Sequence, residues 1–159
     1  DKHPVYIAIP SGPVVHAEGP VRTNFDALNT YEVTREGSKV AVLALGDFYD
    51  LGEKTIEALS STLGIEATLV KPYFASGVDQ NLLDNLVKDH DVIVTIEDGI
   101  IEGGWGQNIA SYLGTSPARV LNYGVKKAFY DRVNIAELMR ESHLDPELIA
   151  ADVKQVLGL

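Results

Sequence analysis

The 159-residue sequence predicts an α/β fold: an open, doubly wound, mainly parallel sheet of about five strands with helices on both faces. Three observations carry this. From Lys39 onward, strand-sized apolar runs alternate with segments whose apolar residues recur at helical spacing, the pattern of successive βαβ units. The runs are of the kind found in strands covered on both faces. The length suits one domain with a sizeable core, and 45% of the residues are hydrophobic, as in an ordinary globular chain.

Between Pro4 and Pro20 the four prolines and the run Val5-Tyr6-Ile7-Ala8-Ile9 predict one strand followed by an extended linker. The next stretch, 21–38, is polar and aperiodic, with Tyr31-Glu32-Val33 as a short edge strand and Glu36-Gly37-Ser38 as a turn. Four further strands are expected at Lys39–Leu45, Glu66–Val70, Asp91–Ile96 and Arg119–Tyr123. The helix between the first two carries Ile56, Leu59 and Leu63 on one face. The next follows Asp79, a good N-cap, and presents Leu82, Leu83, Leu86 and Val87. A third opens through Gly103-Gly104-Trp105-Gly106 and carries Ile109, Ala110 and Leu113. Asn134 with Glu137 resembles a capping box, and Asp145-Pro146-Glu147 places an N-cap before a proline at the first helical position. Two closing helices are therefore expected, the last with Leu148, Ile149, Val153, Val156 and Leu157 as its apolar stripe.

Composition excludes several function classes. The formal net charge of -10 opposes nucleic-acid binding, which needs clustered Lys and Arg to neutralise phosphates. With no cysteine, disulfide frameworks, cysteine nucleophiles and thiolate metal sites are excluded, which fits a cytoplasmic location. The longest apolar runs are strand-sized, too short to cross a bilayer, and no membrane association is expected. The start, Asp1-Lys2-His3-Pro4, lacks the basic end and apolar region of a signal peptide and reads as a chain cut from something longer.

In a doubly wound sheet, ligands bind beyond the carboxyl ends of the strands. After Leu45 only Gly46 and Gly52 are present, so the Gly-rich turn of a dinucleotide fold is missing. After Ile96 come Glu97-Asp98-Gly99 and then Gly103-Gly104-Trp105-Gly106 at a helix start. Free N–H groups there could hold an anion, although two carboxylates nearby oppose one; alternatively, the glycines serve a tight turn and close helix packing. Glu97 and Asp98 could form an acid pair or part of a divalent-metal site, but one adjacent pair from a single loop rarely suffices. Of the four histidines, His90 stands near a helix C-terminus, where it would complement the dipole, while His3, His16 and His143 fall in segments read as exposed. Trp105 marks either a partner surface or local packing. No Ser-His-Asp arrangement follows from spacing alone.

The order of these segments carries a resemblance. The run from Tyr31 to Gly46, YEVTREGSKVAVLALG, resembles the entry to the C-terminal domain of the transketolase superfamily. His90 to Gly99, HDVIVTIEDG, followed by Gly103-Gly104-Trp105-Gly106, is similar to that domain's "H-x-x-x-v-T-v-E-e … G-G-x-G" stretch. Val120-Leu121-Asn122-Tyr123-Gly124-Val125 and His143-Leu144-Asp145-Pro146 resemble the deoxyxylulose-5-phosphate synthases within it. The resemblance covers essentially the whole chain. It implies a transketolase C-terminal-domain-like fold over 39–159, with 1–38 supplying the last strand of a preceding pyrimidine-binding domain plus an extended linker.

For the parent protein the resemblance implies a transferase of two-carbon units that joins decarboxylated pyruvate to glyceraldehyde 3-phosphate, using thiamine diphosphate and magnesium. The family's "G-D-G … N" motif and catalytic glutamate lie upstream, so the fragment is expected to be inactive and to contain no catalytic, cofactor-binding or metal residue. Its implied partners are the upstream domains and a second copy in a homodimer. His90, Glu97, Gly103, Gly104, Trp105 and Gly106 are then loop or interface candidates. Two departures stand out. Where the synthases carry "R-Y-P-R-G", with arginines suited to an acceptor phosphate, this chain has Ala8-Ile9-Pro10-Ser11-Gly12, leaving Ala8 and Ser11 at those positions. The family's "R-F-x-K-P-L-D" reads Tyr73-Phe74-Ala75-Ser76-Gly77-Val78-Asp79, keeping Phe74 and Asp79. Open alternatives are the same domain in a transketolase or a 2-oxoacid dehydrogenase beta subunit, and a catalytically silent paralogue or binding module using the Gly103–Gly106 helix start for a small anion.

Overall fold

A computed structural model of the chain describes residues 22–159 except Leu28, together with Pro4, Tyr6, Ile7 and Ile9. Of the strand expected at Val5–Ile9, Tyr6, Ile7 and Ile9 are described, in no strand and exposed. The rest of that strand and most of the linker, Ala8 and Ser11 included, lie outside the described residues.

Five strands form one sheet: β1 (Glu32–Arg35), β2 (Lys39–Ala44), β3 (Thr68–Lys71), β4 (His90–Ile100) and β5 (Arg119–Val125). Their order across the sheet is β1-β3-β2-β4-β5, with β1 antiparallel to β3 and all other pairs parallel. Five helices accompany them: α1 (Tyr49–Leu63), α2 (Gln80–Asp89), α3 (Trp105–Tyr112), α4 (Ile135–Glu141) and α5 (Pro146–Leu157). No helix among the described residues is long and apolar enough to cross a membrane.

Strand periodicity divides the apolar residues between two cores. Val40, Val42 and Ala44 of β2 and Val92, Val94 and Ile96 of β4 face α1 and α5, where Ile56, Leu59, Ile149 and Val153 meet them. Ala41, Leu43 and Ile93 face the other way, onto Leu83 and Leu86 of α2 and Trp105, Ile109 and Leu113 of α3. Because side chains alternate along a strand, a sheet covered on both faces needs apolar residues at every position, which explains the unbroken runs at β2 and β4.

Helix ends follow local chemistry. The Asp79 side chain accepts from Leu82 N–H, Asn134 from Ala136 and Glu137, and Asp145 from Glu147 and Leu148. The chain leaves α1 and α5 through left-handed Gly64 and Gly158.

One strand runs well past its expected end for a tertiary reason. Strand β4 continues past Ile96, through an irregular step, because Ile100 pairs with Val125 at the end of β5. The short edge strand expected at Tyr31–Val33 is present as β1, antiparallel to β3, and Arg22 folds the preceding turn by donating to the carbonyls of Asn24, Ala27 and Thr30 and to Thr30 Oγ1. Phe25 then rests edge-on against Tyr73 and Phe74.

Candidate functional site

The carboxyl end of β4 places Glu97 beneath the start of α3. Its side chain is buried, and each oxygen accepts one backbone N–H: Oε2 from Trp105 and Oε1 from Gly106, both at 2.8 Å. These donors have no partner within their own helix, and Gly104, the N-cap residue, supplies no side chain for them. A carboxylate there gains from charge-assisted hydrogen bonds and from the positive end of the helix dipole.

The glycines make the room. A Cβ on Gly104 would stand 2.5 Å from the Ile100 carbonyl oxygen and 2.7 and 2.8 Å from the two Glu97 oxygens. One on Gly106 would stand 2.4 Å from Thr95 Oγ1 and 3.1 Å from Glu97 Oε1. Gly103, at φ +79°, turns the chain into the helix and donates to Gln107 Oε1 at 2.7 Å. The donors proposed for an external anion are thus occupied by the protein's own carboxylate. Asp98, next along the strand, points to solvent, so the two acids do not converge on one ion.

Trp105 is buried in the core over α2 and α3. Its indole N–H donates to the Tyr31 hydroxyl at 2.9 Å, and that hydroxyl donates to the Gly77 carbonyl at 3.2 Å. The Tyr31 backbone N–H in turn donates to Asp79 Oδ2 at 2.9 Å, while Asp79 Oδ1 caps α2. Burial raises the Tyr31 phenol above its ordinary pKa. Glu97, Trp105, Tyr31 and Asp79 therefore form a chain of contacts that locks the starts of α3, β1 and α2 together, and the retained Asp79 of the family motif is one of its anchors.

His90 lies at the other end of β4, seven residues before Glu97, or about 23 Å along the strand. Its Nδ1 donates to the Leu86 carbonyl at 2.8 Å, closing α2, and Nε2 lies 2.7 Å from Thr68 Oγ1. That hydroxyl also accepts Gly37 N–H at 3.0 Å. His90 and the Glu97 to Gly106 group cannot share one site.

The sequence did not reveal two other polar groupings. Asp152 of α5 accepts from Tyr123 OH at 3.0 Å and pairs with His143 Nδ1 at 2.8 Å through the same oxygen, tying the corner before α5 to β5. Burial first, and then the adjacent carboxylate, push the Tyr123 phenol well above its ordinary pKa. A signal existed in the polar Asp152 beside the apolar stripe of α5, but its partners lie 29 and 9 residues away. At the opposite edge, Arg22 stacks on Phe25 and Tyr73, and Lys71 on Tyr49 and Tyr73. The Tyr73 phenol, raised to about 12 by burial and by its bond to Glu32, helps tie β1 to the loop after β3.

Thiamine diphosphate with magnesium would need unpaired N–H donors for phosphate oxygens and convergent oxygen ligands for the metal. The α3 donors are already taken, and no group of three or more His, Asp or Glu among the described residues could hold a metal ion. The residues described do not fit that group, and no chemical step is assigned to them.

Known proteins place the chain. The family described as "Transketolase, C-terminal domain" matches residues 29–149. A 1-deoxy-D-xylulose-5-phosphate synthase of Pseudoalteromonas translucida is 33% identical over 159 aligned residues, covering 98% of this chain and 24% of that protein. The corresponding synthase of Colwellia psychrerythraea is 35% identical over 121 residues, covering 75% of this chain and 18% of its own. This chain thus spans about a quarter or less of the curated relatives it matches. Among solved structures, a "split gene transketolase, inactive beta4 tetramer" superposes with a TM-score of 0.72 at 26% identity, covering 82% of this chain and 43% of that one. A Pichia stipitis transketolase shares the fold, with a TM-score of 0.53 at 17% identity over 79% of this chain and 17% of its own. With a match over most of its length and a sheet order and helix placement to go with it, the chain belongs to the transketolase C-terminal domain family.

Proposed function

We propose that this chain is the C-terminal, assembly-supporting domain of a thiamine-diphosphate-dependent enzyme of the deoxyxylulose-5-phosphate synthase type, acting in the cytoplasm. In that parent protein, decarboxylated pyruvate is joined to glyceraldehyde 3-phosphate by machinery in the upstream domains. Residues 1–38 supply the last strand of the preceding domain and the extended linker, whose end adds β1 to the sheet of the C-terminal domain at 39–159. Such a domain's work is to hold the upstream domains and a second copy in register.

The internal use of Glu97 carries the reading of the fragment as support. Where the fold offers a ligand-binding helix start, a buried side chain of the protein fills it, so the carboxyl end of β4 acts as a rigid joint. The synthase relatives, and a split transketolase whose beta chain assembles as an inactive tetramer, support the same assignment.

Calorimetric titration of this chain with thiamine diphosphate and magnesium is expected to give no binding heat; tight, magnesium-dependent binding would overturn the assignment. The full-length parent, loaded with cofactor, is expected to form deoxyxylulose 5-phosphate from the two substrates. Ala8 and Ser11, where the synthases carry arginine, favour a second reading: the same domain in an enzyme with a different acceptor, such as a transketolase or a 2-oxoacid dehydrogenase beta subunit. Absence of product from fully loaded parent would select that second reading.

A further inference from the structure

We infer that the cleft between β1 and α1 binds a small zwitterion of the amino-acid class, with its carboxylate on Arg35 and its ammonium group on Glu53 and Glu57. The cleft has a volume of about 270 Å³, and its floor is formed by the buried Ile56 and Leu69. This is just under the roughly 300–1,000 Å³ of ordinary ligand pockets, so the occupant is small. Two local features open the cleft. The ladder between β1 and β3 slips by one residue between Val33 and Arg35, a bulge that leaves Thr34 as the extra residue. A bulge interrupts the alternation of side chains, and Thr34 and its neighbour Arg35 both line the cleft. Across from them Glu53 and Glu57 stand one turn apart on α1, on the same side of the helix as Ile56. Tyr49, one turn earlier, joins the two walls: its hydroxyl donates to Thr34 Oγ1 at 2.7 Å, and Thr34 donates to the Leu69 carbonyl at 3.2 Å.

The charges that line the cleft are complementary and unused. Asp50 and Lys54 pair with each other on the same helix, whereas among the described residues Arg35, Glu53 and Glu57 make no ion pair and no side-chain hydrogen bond. Both signs act on one hydroxyl. Burial raises the Tyr49 phenol above its ordinary pKa, the bond to Thr34 and the nearby Arg35 oppose the rise, and Glu53 adds to it. A lone cation in the cleft would meet Arg35, with Lys71 stacked over the Tyr49 ring behind it. A lone anion would meet two carboxylates, in a chain whose formal net charge is -10. A zwitterion satisfies both walls, and its net charge of zero frees it from long-range repulsion by the chain. The apolar floor is narrow, which suits a short aliphatic side chain between the two charged groups.

Titration of the isotope-labelled 159-residue chain with L-valine, followed by backbone amide chemical shifts, is expected to give saturable changes in β1 and the first half of α1. The expected Kd is on the order of 1 mM. L-Valinamide keeps the ammonium group and N-acetyl-L-valine keeps the carboxylate; each is expected to bind about tenfold or more weakly than valine. Arg35→Met should abolish the preference for valine over valinamide, and Glu53→Gln with Glu57→Gln the preference over N-acetylvaline. All three side chains are exposed and unpaired within the described residues, so the circular dichroism spectrum should not change. The ligand series and the shift map on the wild-type chain test chemistry and location without any variant. Absence of saturable changes at tens of millimolar valine overturns the proposal. Binding of either blocked form as tightly as valine also overturns it, since the cleft would then be a site for an ion of one sign. Valine binding that ignores all three substitutions places the ligand elsewhere and overturns this cleft as its site.

Discussion

The joint at the end of β4 and the segment after β5 begin a few residues apart on paired strands, yet they use side chains in opposite ways. At the joint, Glu97, Trp105 and Gly106 are buried and every polar group named above has a partner inside the domain. Across 126–137, after β5, every residue is exposed, and Phe129 makes no use of its ring area. Burial with full hydrogen bonding makes geometry rigid, whereas exposed apolar area adds nothing to the fold. The contrast separates substitutions that should damage folding from those that should leave it intact.

The largest effects are expected at the joint. Gly106→Ala would push a methyl group into Thr95 and Glu97, and Glu97→Ala would leave two buried N–H groups without an acceptor. Each is expected to cost about 3 kcal/mol, read from urea unfolding. Losses below about 1 kcal/mol at both positions would mean that water or a solute replaces Glu97 easily, and would reopen the anion-binding reading.

Smaller and more diagnostic is Trp105→Phe, which keeps the aromatic ring in the core but removes the donor to Tyr31. A loss of about 1 kcal/mol is expected in unfolding experiments, and Tyr31→Phe made on top of it should cost less than it does alone, since the two share one bond.

How legible these regions were follows from the range of the interactions. The caps by Asp79, Asn134 and Asp145 join residues two or three positions apart, and the His90 contact to Leu86 spans four, so sequence spacing shows them. The strands of the two-faced sheet are legible for the same reason, since burial on both faces leaves its mark at every residue. Glu97 caps α3 from a neighbouring strand across eight and nine positions, and beside Asp98 it reads as an acid pair or part of a metal site. Trp105 finds Tyr31 across 74 positions, which no local pattern encodes. The extension of β4 to Ile100 depends on pairing with Val125, and so becomes visible only once the sheet is assembled.

Alkaline pH sharpens the comparison through Tyr123. Its phenol is held neutral in the folded chain by burial and by Asp152, so its folded pKa lies above the unfolded value near 10. A raised folded pKa means that the folded state retains a proton which the unfolded state loses. The associated stability is present in full below about pH 10 and declines as pH rises from there towards the folded pKa. Tyr123→Phe is expected to cost about 1 kcal/mol at neutral pH and to flatten the fall in stability above pH 10.

The smallest effect on folding is expected in the exposed segment. Phe129 has no buried area to lose within its own chain, so Phe129→Ser removes nothing that folding gained and should shift the unfolding free energy by no more than about 0.5 kcal/mol at concentrations where the chain is monomeric. If Phe129→Ser destabilises the dilute chain by more than about 1 kcal/mol, the ring packs within its own domain in solution. The segment would then belong with the joint as part of the folded core, and the distinction between the two regions would fail at the point where it is easiest to measure.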